Sequence, residues 1–187
     1  LKLMEIEPNH DQPRKIFDEK ALTELADSIS QHGVLQPLVV RPMTNGGYQL
    51  VAGERRWRAA RIAGLTEVPV IIKELTDEET IEIAMIENLQ REDLNPLEEA
   101  LGYSYMMDEL KITQEEAAEK VGKSRPAIAN ALRLLKLPEE IQEMVKNNLI
   151  SAGHARALLG FSTKEEMIAT ANLIIKEDIS VRQIEAL

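Results

Sequence analysis

Every stretch of this 187-residue chain that reads as a β-strand falls before residue 73. Strands need partners, so any sheet must be assembled from residues 1–73 alone. Everything after it has to bury its apolar residues helix against helix. The chemistry thus divides the chain into an α+β arrangement, a small N-terminal α/β domain followed by an all-α domain, with the boundary expected between residues 1–95 and 96–187.

Within the first part, Leu1 to Ile6 alternates weakly, as an edge strand does. Gln12-Pro13-Arg14-Lys15 reads more readily as a surface turn than as an anion contact. Asp18 can cap a helix to about His32, with Leu22, Leu25, Ala26 and Ile29 on one face and Gly33 ending it. Leu38 to Arg41 is a strand, Asn45-Gly46-Gly47 a hairpin turn, and Tyr48 to Ala52 the return strand. That strand runs into Gly53, and a helix carrying Arg55, Arg56, Arg58 and Arg61 comes next, ending near Gly64; Val68 to Ile72 is a further strand. The first N–H groups of a helix lack internal partners and attract anions. A glycine lets the backbone come close, and guanidinium groups suit phosphate. The same residues equally describe a turn leading into a solvated basic helix.

Thr76 and Glu79 form a capping box that opens a helix to about Gln90, with Ile81, Ala84, Met85 and Leu89 as its apolar face. Near its end stand Glu87, Asn88 and Arg91. Glu87 and Asn88 carry hard oxygens of the kind Mg²⁺ takes, although spacing alone favours an exposed polar helix end. Asn95-Pro96 starts a helix to about Leu110.

Residues 113–135 form the clearest motif. Thr113 and Glu116 make a second capping box, Ala117 allows close helix approach, Gly122 takes a tight turn, Ser124 caps again, and Ile128 and Leu132 point to the core. This is the pattern of a helix-turn-helix. It leaves Lys123, Ser124, Arg125, Ala127, Asn130 and Arg133 outward on the second helix, with Thr113 and Gln114 at the start of the first. An ordinary helical hairpin is the alternative, and charge weighs against it. Residues 1–72 hold nine Lys/Arg and nine Asp/Glu, 73–110 two and twelve, 111–136 six and three, and 137–187 five and eight. A basic island on the helix-turn-helix sits inside a chain of net charge −10. Pro138 starts another helix, to about Asn147; Ser151 can cap the next, with Gly153, His154 and Arg156 in its first turn, either structural or placed to meet phosphate. Two helices close the chain, near 163–176 and from Ser180 on.

The chain has no cysteine, which excludes disulfides, zinc–thiolate sites and thiol catalysis. It has no apolar run of the roughly 20 residues a membrane helix needs, and no secretory signal opens it, so a cytoplasmic location without membrane contact is expected.

Taken in order, Gln12-Pro13-Arg14, Gly33-Val34-Leu35-Gln36-Pro37-Leu38, Gly53-Glu54-Arg55-Arg56-Trp57-Arg58-Ala59, Glu87-Asn88-Leu89-Gln90-Arg91, the helix-turn-helix and Gly153-His154-Ala155-Arg156-Ala157-Leu158 resemble the ParB chromosome-partitioning family over nearly the whole chain. The resemblance implies an N-terminal nucleotide-binding domain and a DNA-binding helical domain, together a clamp that loads at parS sites, closes when CTP binds, slides away and hydrolyses CTP slowly. On it, Gly53, Glu54, Arg55 and Arg56 would hold the triphosphate with Gln12, Arg14, Gln36 and Arg91 nearby, Glu87 and Asn88 would serve Mg²⁺, and Glu54 is the candidate catalytic residue. Thr113, Gln114, Lys123, Ser124, Arg125, Ala127, Asn130, Arg133, Gly153, His154 and Arg156 would meet DNA. Implied partners are a second copy in a CTP-gated dimer, a ParA-type ATPase and SMC/condensin, at the nucleoid. No basic N-terminal peptide for ParA and no C-terminal dimerisation domain after Leu187 are found, so a trimmed chain is expected. Nucleoid-occlusion relatives share these motifs; Arg125 and Gly153 resemble the partitioning branch. A helix-turn-helix regulator without nucleotide switching is a further alternative. So is a nuclease, while sulfiredoxin chemistry would need the missing cysteine.

Overall fold

The computed structural model describes residues 1–9, 19–91 and 93–185. The Gln12–Lys15 turn and the Asp18 cap lie outside them. The chain forms two compact units, Leu1–Asn88 and Leu89–Leu187.

The first unit is a four-stranded mixed sheet, in the order β1-β3-β2-β4, with helices packed on it. Strand β1 (Ile6–Glu7) is the edge, parallel to β3 (Tyr48–Ala52). It is shorter than the alternation of residues 1–6 suggested, because Leu3–Glu5 coil into a 3₁₀ turn whose Glu5 side chain reaches back to the Lys2 N–H. Helix α1 (Glu19–His32) buries Ala26 and Ile29 and half-buries Leu22 and Leu25. It stops at Gly33, whose φ of 71° is left-handed. Strand β2 (Leu38–Pro42) pairs with β3 through the Met43–Gly47 turn, where Gly46 and Gly47 take the positive φ values a tight hairpin needs. Strand β4 (Val70–Ile72) begins two residues later than expected. Pro69 has no N–H to offer the ladder, and its carbonyl instead accepts from Leu38 N at 3.0 Å.

The β2–β3 register breaks between Val39 and Val40, which pair with Ala52 and Leu50. The extra residue, Val51, is a bulge, so Leu50 and Val51 are both buried in succession. Bulges bend a strand and re-aim its continuation. Here that continuation is Gly53 and helix α2 (Glu54–Ile62). Helix α3 (Asp77–Leu89) opens on the Thr76/Glu79 capping box, with bonds of 2.8 and 3.2 Å, and buries Ala84, Met85 and Leu89.

In the second unit, α4 (Pro96–Leu110) starts from an Asn95 cap that accepts from two backbone N–H groups at 2.9 Å. Its Tyr103 hydroxyl donates to Glu99 at 2.6 Å; burial first, and that bond second, push the hydroxyl's pKa up. Helices α5 (Gln114–Val121) and α6 (Arg125–Arg133) form the helix-turn-helix around Gly122, whose φ is 69°. Ile128 is fully buried as expected, whereas Leu132 is only half-buried. Leu134 takes the inner place, because a 3₁₀ turn over Leu134–Lys136 rotates the chain at the helix end. Helices α7 (Glu139–Lys146), α8 (Ala152–Leu158), α9 (Lys164–Glu177) and α10 (Val181–Ile184) close around a core that includes Leu134, Ile141, Val145 and Leu158.

Candidate functional site

In the first unit the candidate site is centred on Gly53, the residue capping α2. Its φ and ψ are 102° and 29°, left-handed, and a Cβ built there would stand 2.8 Å from Leu38 Cδ2 and 3.3 Å from Arg56 Nη2. Only glycine fits. Having no side chain, Gly53 gives α2 no side-chain cap, unlike α4, α5, α6, α8 and α9. The first bond inside the helix runs from Trp57 N to Gly53 O at 3.0 Å. The N–H groups of Glu54, Arg55 and Arg56 therefore form the positive end of a helix dipole beside a bare backbone, which is the geometry that receives an anion.

Three of the sequence-picked segments meet here. Arg56 Nη1 donates to Gln36 O at 2.7 Å and to Pro37 O at 2.8 Å. Glu87, from α3, accepts from Gly53 N at 3.4 Å. Arg55 is exposed at the first turn. Glu54 has a different setting: it is 8% exposed, one carboxylate oxygen accepts from Arg58 Nε at 2.7 Å, and the other is buried without a partner. Its carboxylate is held down against the helix by an i,i+4 pair. Arg61 lies over the Trp57 ring at 4.9 Å, on a further face of the same helix. The four arginines of α2 thus divide, with Arg55 and Arg56 near the cradle and Arg58 and Arg61 engaged elsewhere.

For a divalent cation, Glu87 and Asn88 stand side by side on α3, and successive helical side chains do not face each other. No group of three His, Asp or Glu able to hold a metal occurs among the described residues. That donor set suits Mg²⁺ that keeps its waters and takes phosphate oxygens, and it does not form an all-protein cage. Arg91 belongs to the second unit and grips Asp93 in a two-point fork, 2.9 and 2.6 Å, which raises its already high pKa further. Gln12 and Arg14 lie outside the described residues.

In the second unit, Lys123, Ser124, Arg125 and Ala127 are exposed at the turn and the first turn of α6. Asn130 and Arg133 from α6 and Gly153 and Arg156 from α8 line one cavity of about 630 Å³. Sequence spacing put these residues on separate helices; the fold brings them to one surface. The same cavity is lined by Ser162, Glu166 and Glu185, which sequence reasoning missed. Thr163 and Glu166 form a capping box at 3.2 Å, a signal readable from the sequence that places Glu166 at the start of α9. Three of the expected DNA-facing groups have local duties, the first being Ser124, whose hydroxyl accepts from Ala127 N at 3.3 Å and caps α6. The Thr113 hydroxyl is bonded to Glu116 at both N and Oε2, and His154 Nδ1 meets Ser151 N and Oγ at 3.2 and 3.0 Å as a capping-box partner. Gly153 sits where a Cβ would press Val181 Cγ2 at 3.3 Å, so it packs α8 against α10.

Two family models match the chain, the ParB N-terminal domain over residues 1–89 and the ParB HTH domain over residues 92–187. The chain belongs to the ParB family. It is 51% identical over 187 residues to the stage 0 sporulation protein J of Bacillus subtilis, covering 100% of this chain and 66% of that protein. It is 55% identical to the chromosome-partitioning protein Spo0J of Thermus thermophilus, covering 100% and 68%. The chain thus spans about two thirds of the length of these ParB relatives. The C-terminally truncated ParB of Caulobacter crescentus, crystallised with the centromeric parS site, is 46% identical and superposes with a TM-score of 0.87 over 99% of this chain and 95% of that one. No described helix is long and apolar enough to cross a membrane.

Proposed function

We propose that this chain is the nucleotide-binding and DNA-binding part of a CTP-dependent clamp, which loads on centromere-like parS DNA in chromosome or plasmid segregation, slides from it, and hydrolyses CTP slowly. The observation that carries this reading is the Gly53 cradle. A left-handed glycine, excluded to any side chain by Leu38, opens a helix whose first turn bears Arg55 and Arg56, inside a ParB N-terminal domain. N–H groups left without partners inside the helix, and a forked cation beside them, suit a polyphosphate. The choice of CTP rests on the family resemblance.

In this reading, the N–H groups of the first α2 turn and the Arg55 and Arg56 guanidiniums hold the phosphates, with Gln36 beside them. Glu87, which accepts from Gly53 N at 3.4 Å, would share Mg²⁺ with phosphate oxygens, with Asn88 as the second oxygen donor of the proposed set. When bound, the metal would supply charge neutralisation on the phosphates. Glu54, proposed from sequence as the hydrolytic residue, would act from a buried position through its pair with Arg58. Gln12 and Arg14 complete the proposed set. On the DNA side, Lys123, Ser124, Arg125, Ala127, Asn130 and Arg133 of α6, with Gly153, His154 and Arg156 of α8 and Thr113 and Gln114 of α5, make the duplex-facing set. The parS complex of the Caulobacter relative supports it. Self-association gated by CTP, a ParA-type ATPase, SMC/condensin and a nucleoid location in the cytoplasm belong to the same proposal.

The test is CTP turnover with Mg²⁺, alone, with a parS duplex and with a scrambled duplex of equal length. Stimulation by parS alone is expected, and turnover indifferent to sequence refutes the coupling. One observation favours a second reading, a helix-turn-helix regulator without a nucleotide switch: Arg56, Arg58 and Arg91 are each already bonded to protein atoms. Thermal shifts with CTP, ATP, GTP and UTP plus Mg²⁺ separate the two, since a ligand held only by the folded state raises its stability.

A further inference from the structure

Arg56 carries two duties at once. Its Nη1 points at the connection between α1 and β2, where Gln36 O and Pro37 O, adjacent carbonyls, accept from it at 2.7 and 2.8 Å. Guanidinium has five N–H donors in a fixed fork, and these two bonds use both hydrogens of one nitrogen. Nε–H and the two hydrogens of Nη2 remain for a ligand, and Nη2 stands 3.3 Å from where a Gly53 Cβ would be. One planar group therefore touches the loop with one edge and the cradle with another.

The loop has little else to fix it. Gly33, at its start, is left-handed with nothing within 4 Å of a Cβ, and Leu35 is 83% exposed. Val34 alone reaches the core from this stretch. Pro37 contributes no N–H. Two neighbouring carbonyl dipoles aimed at one point make a local negative potential, which a cation satisfies better than a neutral donor.

We propose that Arg56 is a positioning residue, which holds the loop of residues 33–37 against the Gly53 cradle before any ligand arrives, and so presets that wall of the pocket. The ligand part of this inference rests on the nucleotide reading; the clamping of the loop by Arg56 does not. A residue serving phosphate alone would leave the ligand-free loop unchanged when replaced.

The experiment is backbone ¹⁵N relaxation on the ligand-free protein. In the wild type, the Leu35 and Gln36 amides should have order parameters of about 0.85, as rigid backbone does. In Arg56→Met, which keeps the stem and loses every donor, they should fall below about 0.6. Arg56→Lys, with a charged group of shorter reach, should lie between. Leu50 and Val51 amides, in the buried strand β3, should not change. Unchanged order at Leu35 and Gln36 in Arg56→Met overturns the proposal, as does an equal loss at Leu50 and Val51, which would mean general loosening. Titrating the wild type with CTP and Mg²⁺ keeps the two claims apart. A loop that loosens in Arg56→Met, in a protein whose wild type binds no nucleotide, leaves the loop clamping standing and removes the nucleotide reading.

Discussion

Replacing Gly53 by alanine tests the geometry of the cradle most directly. Two costs add. Alanine at a φ of 102° sits in a conformation that L-residues avoid, at about 1–2 kcal/mol. Its Cβ would also come 2.8 Å from Leu38 Cδ2. Leu38 is fully buried, so its side chain can give way only against other core side chains. Forcing a methyl group into such a site costs about 1–3 kcal/mol. The sum, about 2–5 kcal/mol, is a large part of the roughly 5–15 kcal/mol that holds a domain together. Trp57, the chain's single tryptophan, is 6% exposed in the core of this unit, so its fluorescence during urea unfolding reports the first unit specifically. Gly33→Ala is the control. It also has positive φ, 71°, but nothing within 4 Å of its Cβ, so it should lose only the backbone part, about 1–2 kcal/mol. Equal midpoints for the two variants would refute the steric argument and with it the claim that the cradle is shut to side chains.

Three further expectations use the same logic. Gly102, inside α4, would place a Cβ 2.5 Å from Leu89 Cδ2. Gly102→Ala should therefore destabilise, although alanine normally gains about 1 kcal/mol in a helix; pairing it with Leu89→Ala should recover part of the loss, and purely additive costs in a double-mutant cycle by circular dichroism would rule the contact out. Glu116 has its pKa lowered from the usual 4.5, first by the Thr113 backbone bond and then by the Thr113 hydroxyl. A depressed carboxylate stabilises above its unfolded pKa and loses that contribution as pH falls through the folded value. The stability gap between wild type and Glu116→Gln, measured by thermal unfolding, should be present near neutral pH and vanish below the ordinary carboxylate range. Arg133→Ala and Arg156→Ala should each weaken binding to a parS duplex by about 1–3 kcal/mol at fixed salt if the lost contact is to a base. Fluorescence anisotropy with unchanged affinity would remove either residue from the interface.

Much of the architecture was legible in the order of residues, because local rules decide it. The glycine at the end of α1, the Asn95-Pro96 start and the two capping boxes at Thr76 and Thr113 all depend on contacts within four residues or on a single backbone angle. Glycine, proline and short polar side chains act on that scale, so their positions can be read without knowing the fold. Where competition from elsewhere entered, the sequence was a poorer guide. Residues 3–5 alternate like a strand yet coil, and Leu132 has the spacing of a core residue yet yields to Leu134 after a 3₁₀ turn.

Of the site, the sequence by itself determined that a helix start with a bare glycine and arginines would succeed a strand, and that a basic helix-turn-helix would stand apart from an acidic stretch. Only the tertiary structure decided what each arginine does. Arg55 and Arg56 are alike in sequence. One is exposed, while the other reaches two carbonyls 20 and 19 positions back in the chain. Glu54, next to them, is drawn under the helix by Arg58. Asn130, Arg133, Gly153 and Arg156 share a cavity because α6 and α8 pack into the same helical unit. Side-chain roles of this kind depend on long-range contacts, and these are set by how whole elements bury their apolar faces. Composition and spacing name the candidates, and packing assigns their partners.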